Sequence, residues 1–437
     1  MANQFKITRR RFLKASLAGG AAAALGGLPL GRSPAFAAPA FLNYWTGWSG
    51  FEFDELQKLV DKFNKANPDI FINMTTVFGQ YDKVLTAIAG GNPPDVVSAV
   101  WLHQLVGMAA RGGFTPLTDL AKKDGVDGKG YFPQFWNAWQ WNNQLWGVMV
   151  TCNSQVLAYS PKTLESIGVS AAPKTVAELD DVSKKLEKVD QDGNIQRVGI
   201  LPLGIQQWGR VFGGTFYDDA NKKVTANDPK IVAALDWMAS YWKRLKPDKV
   251  AAFQSGYGDY MSPQNQFFSG KENIYGCGEW FIQFQQKFAP QLDMEMMAYP
   301  APAGGRENCT TFDGSVFTIP AGVRNKDASW AFIKWLSEDQ QMGDFCFAIH
   351  NVPPKVAPAN ADRFVSDKRF KLALDLLNGK NAFGPDKMPV NDFYDTHLTN
   401  AETAVKAGQM SAQDALDQVT KDTQEELDKT LAQMKTQ

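Results

Sequence analysis

At 437 residues, 44% hydrophobic and 21% charged, the chain exceeds one ordinary core and suits two α/β domains. It has no low-complexity tract and no internal period of about 20–50 residues, which argues against a solenoid or a repeat scaffold. Residues 1–37 hold six basic side chains and no acidic one, leaving 39 Lys and Arg against 46 Asp and Glu in the remainder. A body near −7 has no general attraction for nucleic acid or anionic lipid.

The first segment reads as an address. Lys6, Arg9, Arg10, Arg11 and Lys14 precede Ala15–Leu30, a weakly apolar run rich in Ala and Gly. Arg32 follows, then Ala35-Phe36-Ala37, an A-x-A cleavage site. Thr8-Arg9-Arg10-Arg11-Phe12-Leu13-Lys14 resembles the twin-arginine export signature. The expectation is a signal peptide over residues 1–37, cleaved near Ala37, with the product released into the periplasm. No Cys precedes Cys152, so no lipobox cysteine and no lipid anchor is expected. No later run of about 18 apolar residues is present to span a membrane.

Strand-like and helix-like stretches then alternate. Phe41–Trp45 is a short apolar strand, and Ser49-Gly50-Phe51-Glu52 a capping box with Ser49 as N-cap and Glu52 at N3. Leu56, Leu59, Val60 and Phe63 give the following helix one apolar face, ending before Pro68. A strand over Ile70–Val77, a helix over Tyr81–Ala89, the breaker Gly90-Gly91-Asn92-Pro93-Pro94 and a strand over Asp95–Val100 complete β-α-β-α-β, the signature of an open, largely parallel sheet.

Val148–Ala158 reads as one long strand. Ser160-Pro161 opens a helix that Gly168 ends, and Thr175-Val176-Ala177-Glu178 is a second capping box. Asp192-Gly193 marks a turn. Val198–Leu203, Ile274–Cys277 and Met294–Ala298 are further strand candidates. Trp330–Leu336 is a helix capped by Asp327, and from Ser411 one long helix turns Leu416, Val419 and Leu427 inward. No Pro/Gly/Ser linker separates two halves, so the chain is expected to cross between its domains several times, making a hinge rather than a tether. The wide spacing of Cys152, Cys277, Cys309 and Cys346 excludes a C-x-x-C motif and leaves two disulfides or buried thiols equally open. With only His103, His350 and His397, a histidine-rich metal site is not expected, and no cofactor is called for.

Several stretches, in order, resemble the family 1 extracellular solute-binding proteins of ABC importers. They are Tyr81 to Val97, with its Gly-Gly-Asn-Pro-Pro-Asp centre; Gly276-Cys277-Gly278-Glu279-Trp280; Phe312-Asp313-Gly314-Ser315-Val316-Phe317-Thr318-Ile319-Pro320 leading to Ala328–Leu336; and Gly408-Gln409-Met410-Ser411. The resemblance implies an α/β periplasmic-binding-protein fold, with two lobes, several hinge crossings and an interlobe ligand cleft. The expected N-lobe is residues 38–150 with about 318–352 returning to it. The C-lobe is 151–317 completed by about 353–437. Where family members often carry two glycines, this chain has Asp313-Gly314.

A sugar asks for aromatic rings under its C–H faces and paired donors and acceptors for its hydroxyls. In open α/β sheets these gather past strand ends, where loops and helix N-termini converge. Trp48 and Trp101, with His103 beside it, follow the first and third strands. Asn153 and Ser154 lie at the expected first crossing, and Asp313 and Gly314 at the second. Trp208 and Arg210 follow the Val198–Leu203 candidate, Glu279 and Trp280 follow a Gly-x-Gly strand end, and Tyr81 opens its helix. These twelve residues are the candidate ligand contacts. The expected partners are a small molecule, a sugar before others, and the membrane permease of an ABC importer, with the chain acting as a monomer. Two alternatives are a secreted glycosidase using Glu279 and Asp313 as a carboxylate pair, and a binder of glycerol-phosphate-like solutes. No G-x-S-x-G, P-loop or H-E-x-x-H motif supports catalysis.

Overall fold

The computed structural model describes residues 39–435, so the predicted signal segment 1–37 lies outside the described residues. The first sheet forms as its pattern demands. Strand β1 (Ala40–Thr46) leads through helix α1 (Gly50–Ala66) to β2 (Ile70–Thr76), then through α2 (Tyr81–Ala89) to β3 (Val96–Ser98) and α3 (Leu102–Ala110). All three strands are parallel in the order β2-β1-β3, with Ala40 opposite Ile70 and Tyr44 opposite Val96. Leu56, Leu59, Val60 and Phe63 bury the inner face of α1. Ser49 takes the N-cap position of α1 but its side chain caps nothing, and Glu52 makes no bond back to the Ser49 amide, so the first predicted capping box is absent. The second is half formed: Thr175 accepts from the Glu178 amide, while Glu178 accepts from the Lys174 amide instead of closing the box.

The long strand predicted over Val148–Ala158 is two. β4 (Val148–Met149) and β5 (Asn153–Tyr159) are separated by a bend, because each belongs to a different sheet. The predicted strand Val198–Leu203 does not form. Only an isolated parallel bridge from Val198 to Glu272 forms, with the Gly199 carbonyl accepting from the Ile274 amide at 2.7 Å; beyond it, Glu272 Oε1 accepts from the Leu201 amide at 2.9 Å and the Asn273 side-chain amide donates to the Val198 carbonyl at 2.9 Å. Helix α4 (Ile205–Val211) follows it. The second sheet is then built on β5, flanked on one side by β6 (Ile274–Gly278). After helix α5 (Phe281–Phe288), β7 (Glu295–Met297) and β8 (Thr310–Asp313) share the other side of β5, all antiparallel to it.

Past β8 the chain enters β9 (Val316–Phe317), which pairs with β4, and Thr318 bridges to Val97 on β3. Residues 148–159 and 310–318 thus run antiparallel from one sheet to the other, joined at the bend by the Val150 amide to the Ser315 carbonyl at 3.2 Å. A third segment joins them: Cys152 and Val352 exchange both backbone bonds at 2.8 Å. Gly314 lies where the first two press together, and a Cβ there would strike the Thr151 carbonyl oxygen. Helix α6 (Lys326–Leu336) has Asn325, not Asp327, at its N-cap, with Asp327 in the first turn. Strand β10 (Ala382–Phe383) closes the second sheet beside β8, and helices α7 (Asn391–Lys406) and α8 (Ala412–Met434) end the chain, α8 burying Leu416, Val419 and Leu427. All four cysteines are buried free thiols.

Candidate functional site

A cleft runs between the carboxyl ends of the first sheet and the inner face of the second. It has three connected chambers. The first, about 350 Å³, is largely aromatic: Trp48, Phe78, Trp101, Tyr260, Trp280 and Phe284 surround it, with Glu52, Asn153 and Asn351 as polar members. The second, about 380 Å³, is polar and includes Gln206, Gln207, Arg210, Asp386, Asn391 and Asp395. His103, Gln155 and Asp313 line both, so the two are one space. A third of about 230 Å³ opens beyond Gln155, Leu203 and Gly204.

Strand alternation decides which residues of β5 reach this space. Successive side chains point to opposite faces, so Asn153 and Gln155 face the cleft while Ser154 faces the core. Ser154 is fully buried and donates from its amide (2.8 Å) and hydroxyl (3.2 Å) to Oε2 of Glu279, itself 0% exposed. The expectation that Ser154 and Glu279 touch ligand is therefore not met. The pair ties β5 to the turn after β6 from behind the cleft. Burial pushes the Glu279 carboxyl up to about 8, against the bonds from Ser154. One residue on, Trp280 lines the aromatic chamber and donates from Nε1 to the Tyr260 hydroxyl at 2.6 Å.

Trp48 also lines that chamber, held edge-on to Trp101 with ring centroids 5.2 Å apart. His103, the second residue of α3, bonds through Nδ1 to the Asp313 carboxylate at the end of β8. Burial acts to lower its pKa, but the charge and hydrogen bond of Asp313, with Asp395 and Asp392 behind it, prevail and raise it to about 9. The Asp313-Gly314 departure thus places an acid in the cleft wall; Gly314 itself, expected to touch ligand, lines none of the three chambers, and its carbonyl accepts from the Leu102 amide at 3.1 Å.

Three other expected contacts lie elsewhere or are already engaged. Trp208 is 1% exposed and packed against Trp237 and Tyr299 at 4.5 and 4.8 Å; it touches only the third chamber and serves the core. Arg210 does line the polar chamber, but it is paired with Asp386 at 2.9 Å and stacked over Phe216 and Phe383. Tyr81 lines no chamber. Its hydroxyl donates to Asp392 on α7 at 3.2 Å, and Arg111 donates to the same oxygen at 3.0 Å, forming a bridge beside the cleft.

The sequence reading missed Gln155, Glu52 and the acidic wall of the polar chamber. Period-two spacing from Asn153 was the available signal for Gln155. The acids come from α7 and the loop after β10, and α4 braces those of α7: Gln206 donates to Asp395 at 2.5 Å, and Glu402 accepts from the Ile205 amide at 2.8 Å and, within α7, from Lys406 at 2.7 Å. Burial raises Asp395 to about 6, with His103 and Gln206 acting to lower it.

The profile of bacterial extracellular solute-binding proteins matches residues 58–371, and that of the twin-arginine translocation signal matches residues 6–26. The maltotriose-binding protein of Pyrococcus abyssi is 23% identical over 312 residues, 68% of this chain and 62% of that protein, so the match spans under two thirds of the relative's length. A maltooligosaccharide ABC transporter solute-binding lipoprotein of Streptococcus pneumoniae is 24% identical over 300 residues, 66% of each chain. Among solved structures, CpMnBP1 with mannobiose bound superposes with a TM-score of 0.81 at 26% identity, covering 87% of this chain and 98% of that one. The GacH receptor of Streptomyces glaucescens, solved with and without acarbose, gives 0.75 at 20% identity, covering 90% and 99%.

Proposed function

The chain belongs to the bacterial extracellular solute-binding proteins, and from that premise we propose that it holds a carbohydrate between two lobes and delivers it to the permease of an ABC importer. It is an exported protein, carrying a twin-arginine signal. The observation that carries the carbohydrate reading is the continuity of the two main chambers. An aromatic space for C–H faces opens directly onto amides and carboxylates able to sort hydroxyls, across His103, Gln155 and Asp313. The relatives bearing maltotriose, maltooligosaccharide and mannobiose in their names support the same class.

The lobes we assign are residues 38–150 with about 318–352, and 151–317 with about 353–437. The three crossing segments around Thr151, Gly314 and Val352 are the hinge about which they close, and ligand contacts from both lobes favour the closed state. We assign no catalysis. Glu279 is sealed behind β5 and Asp313 is committed to His103, so these two carboxylates do not flank a shared bond. A glycerol-phosphate-like anion fits poorly beside Asp313, Asp386, Asp395 and Glu402, because the one arginine in that wall is already paired.

Thermal unfolding of the processed protein against neutral sugars, amino sugars and sugar phosphates tests the reading. A ligand at about a hundred times its Kd adds roughly 2.7 kcal/mol. A stabilising sugar recovered unchanged supports it; a sugar consumed in the assay makes the chain an enzyme; a response confined to phosphates overturns the carbohydrate assignment.

A further inference from the structure

Glu52 occupies the third position of α1 and is 8% exposed, yet among the described residues it has no hydrogen bond and no ion pair. It is not sealed in the core: it lines the aromatic chamber, while the polar atoms that are both sealed and unpartnered include Trp48 Nε1 and Glu279 Oε1 but neither Glu52 oxygen. A buried carboxyl without a partner costs free energy that folding alone does not return. Burial alone pushes it up to about 8, with no neighbouring cation to offset the effect.

The surroundings point to a positive group. Aromatic ring faces attract cations, and Trp48, Phe78, Trp101, Tyr260, Trp280 and Phe284 enclose the space that Glu52 faces. The other charged members of the chamber, His103 and Asp313, neutralise each other. In the polar chamber beyond, Asp386 is paired with Arg210 and Glu402 with Lys406, which, among the described residues, leaves Asp395 as the acid with no ion pair and no unmatched cation in the lining. The hydroxyls of such a unit can be met by Asn153, Gln155 and Asn351, which leaves the Glu52 carboxyl for a charged donor.

Resting on the carbohydrate reading, we propose that the aromatic chamber selects a glycan unit bearing a protonated amino group, an amino sugar, with Glu52 as its counter-ion. The ammonium sits among the rings and donates to the Glu52 carboxylate, while the rest of the glycan extends past Gln155 into the polar chamber.

Isothermal titration of the processed protein with glucosamine disaccharide and with cellobiose, which carries hydroxyls in place of the amines, tests this directly. Mannobiose and maltotriose serve as neutral controls. A charge-assisted bond in a partly enclosed site gives the amino disaccharide an advantage of about 10- to 100-fold. In E52Q that ratio falls towards one. The wild-type comparison stands even if E52Q fails to fold. Equal affinities in the wild type, a preference that survives in a folded E52Q, or binding of neutral glycans alone would overturn the amino-sugar assignment and leave the carbohydrate reading intact. No response to any of the four glycans overturns both.

Discussion

The His103–Asp313 contact makes a measurable claim about protonation. His103 belongs to α3 beside the first sheet and Asp313 ends β8 in the second, so the pair spans the floor of the cleft. A rise from 6.5 to about 9 corresponds to about 3 kcal/mol of preference for the charged ring. With 34% of the imidazole and 28% of the carboxylate side chain exposed, water screens the pair, and about 1 kcal/mol is the net contribution to stability. The folded value lies above the unfolded one. The contribution is therefore complete below pH 6.5 and is lost as pH rises through about 9. The chain has only three histidines, so NMR titration of their ring protons, assigned by H103N, reads the group directly. His103 should titrate near 9, well separated from His350, which burial lowers to about 4. D313N should bring the His103 titration down, because burial then meets only the more distant Asp395 and Asp392. A wild-type His103 titrating at or below 6.5, or one unmoved by D313N, would refute the ion-pair argument.

Trp280→Ala removes a wall of the aromatic chamber and the bond to Tyr260 while leaving the strand-end glycine turn in place. Affinity for a bound sugar should fall by roughly 3- to 10-fold, about 0.5–1.5 kcal/mol, with the melting temperature little changed; unaltered affinity would move the site. Glu279 separates charge from hydrogen bonding. Its folded pKa of about 8 lies above the ordinary 4.5, so it costs stability progressively from pH 4.5 to 8. E279Q should flatten that slope in urea titrations, whereas E279A, leaving the Ser154 amide unpaired, should lose about 1–3 kcal/mol. Gly314→Ala drives a methyl into the Thr151 carbonyl and Met149, and should cost about 1–3 kcal/mol and alter ligand closure seen by small-angle scattering. A wild-type scattering profile with full stability would show that the crossing tolerates a side chain.

Local grammar carried the first sheet almost unaided. The apolar face of α1 and the β-α-β-α-β alternation from Phe41 are properties of short windows, and the observed bounds of β1, β2 and α2 follow them to within a residue or so. The grammar failed where a window spans two sheets. Val148–Ala158 has a polar centre at Asn153-Ser154-Gln155 but no Gly or Pro, so no breaker residue marks the bend at Val150–Cys152. The bend exists because the partner segment, more than 150 residues later, itself changes sheet at Gly314. The Val198–Leu203 run failed for a related reason. Its hydrophobicity is real and Val198, Ile200 and Leu201 are buried, but its pairing with residues 271–274, far along the chain, stops at one bridge, and the side chains of Glu272 and Asn273 take up other backbone groups.

The cleft shows the sharper limit. Glu279 and Trp280 stand side by side after the same Gly-x-Gly strand end, and composition alone favours both as ligand contacts. The strand's pleat and the following turn send them apart, one behind β5 to Ser154 and the other into the aromatic chamber. Glu52 is the converse case: its spacing from Ser49 satisfies a capping box, yet the helix end leaves it uncapped and the chamber takes it up. In both cases residue type announces a capacity, hydrogen bonding or charge, and only the direction of one Cα–Cβ bond relative to a distant segment decides how it is used. A residue that fits a local motif and then does not form it, at the mouth of a cavity, is therefore the place to look for ligand chemistry, and in this chain that residue is Glu52.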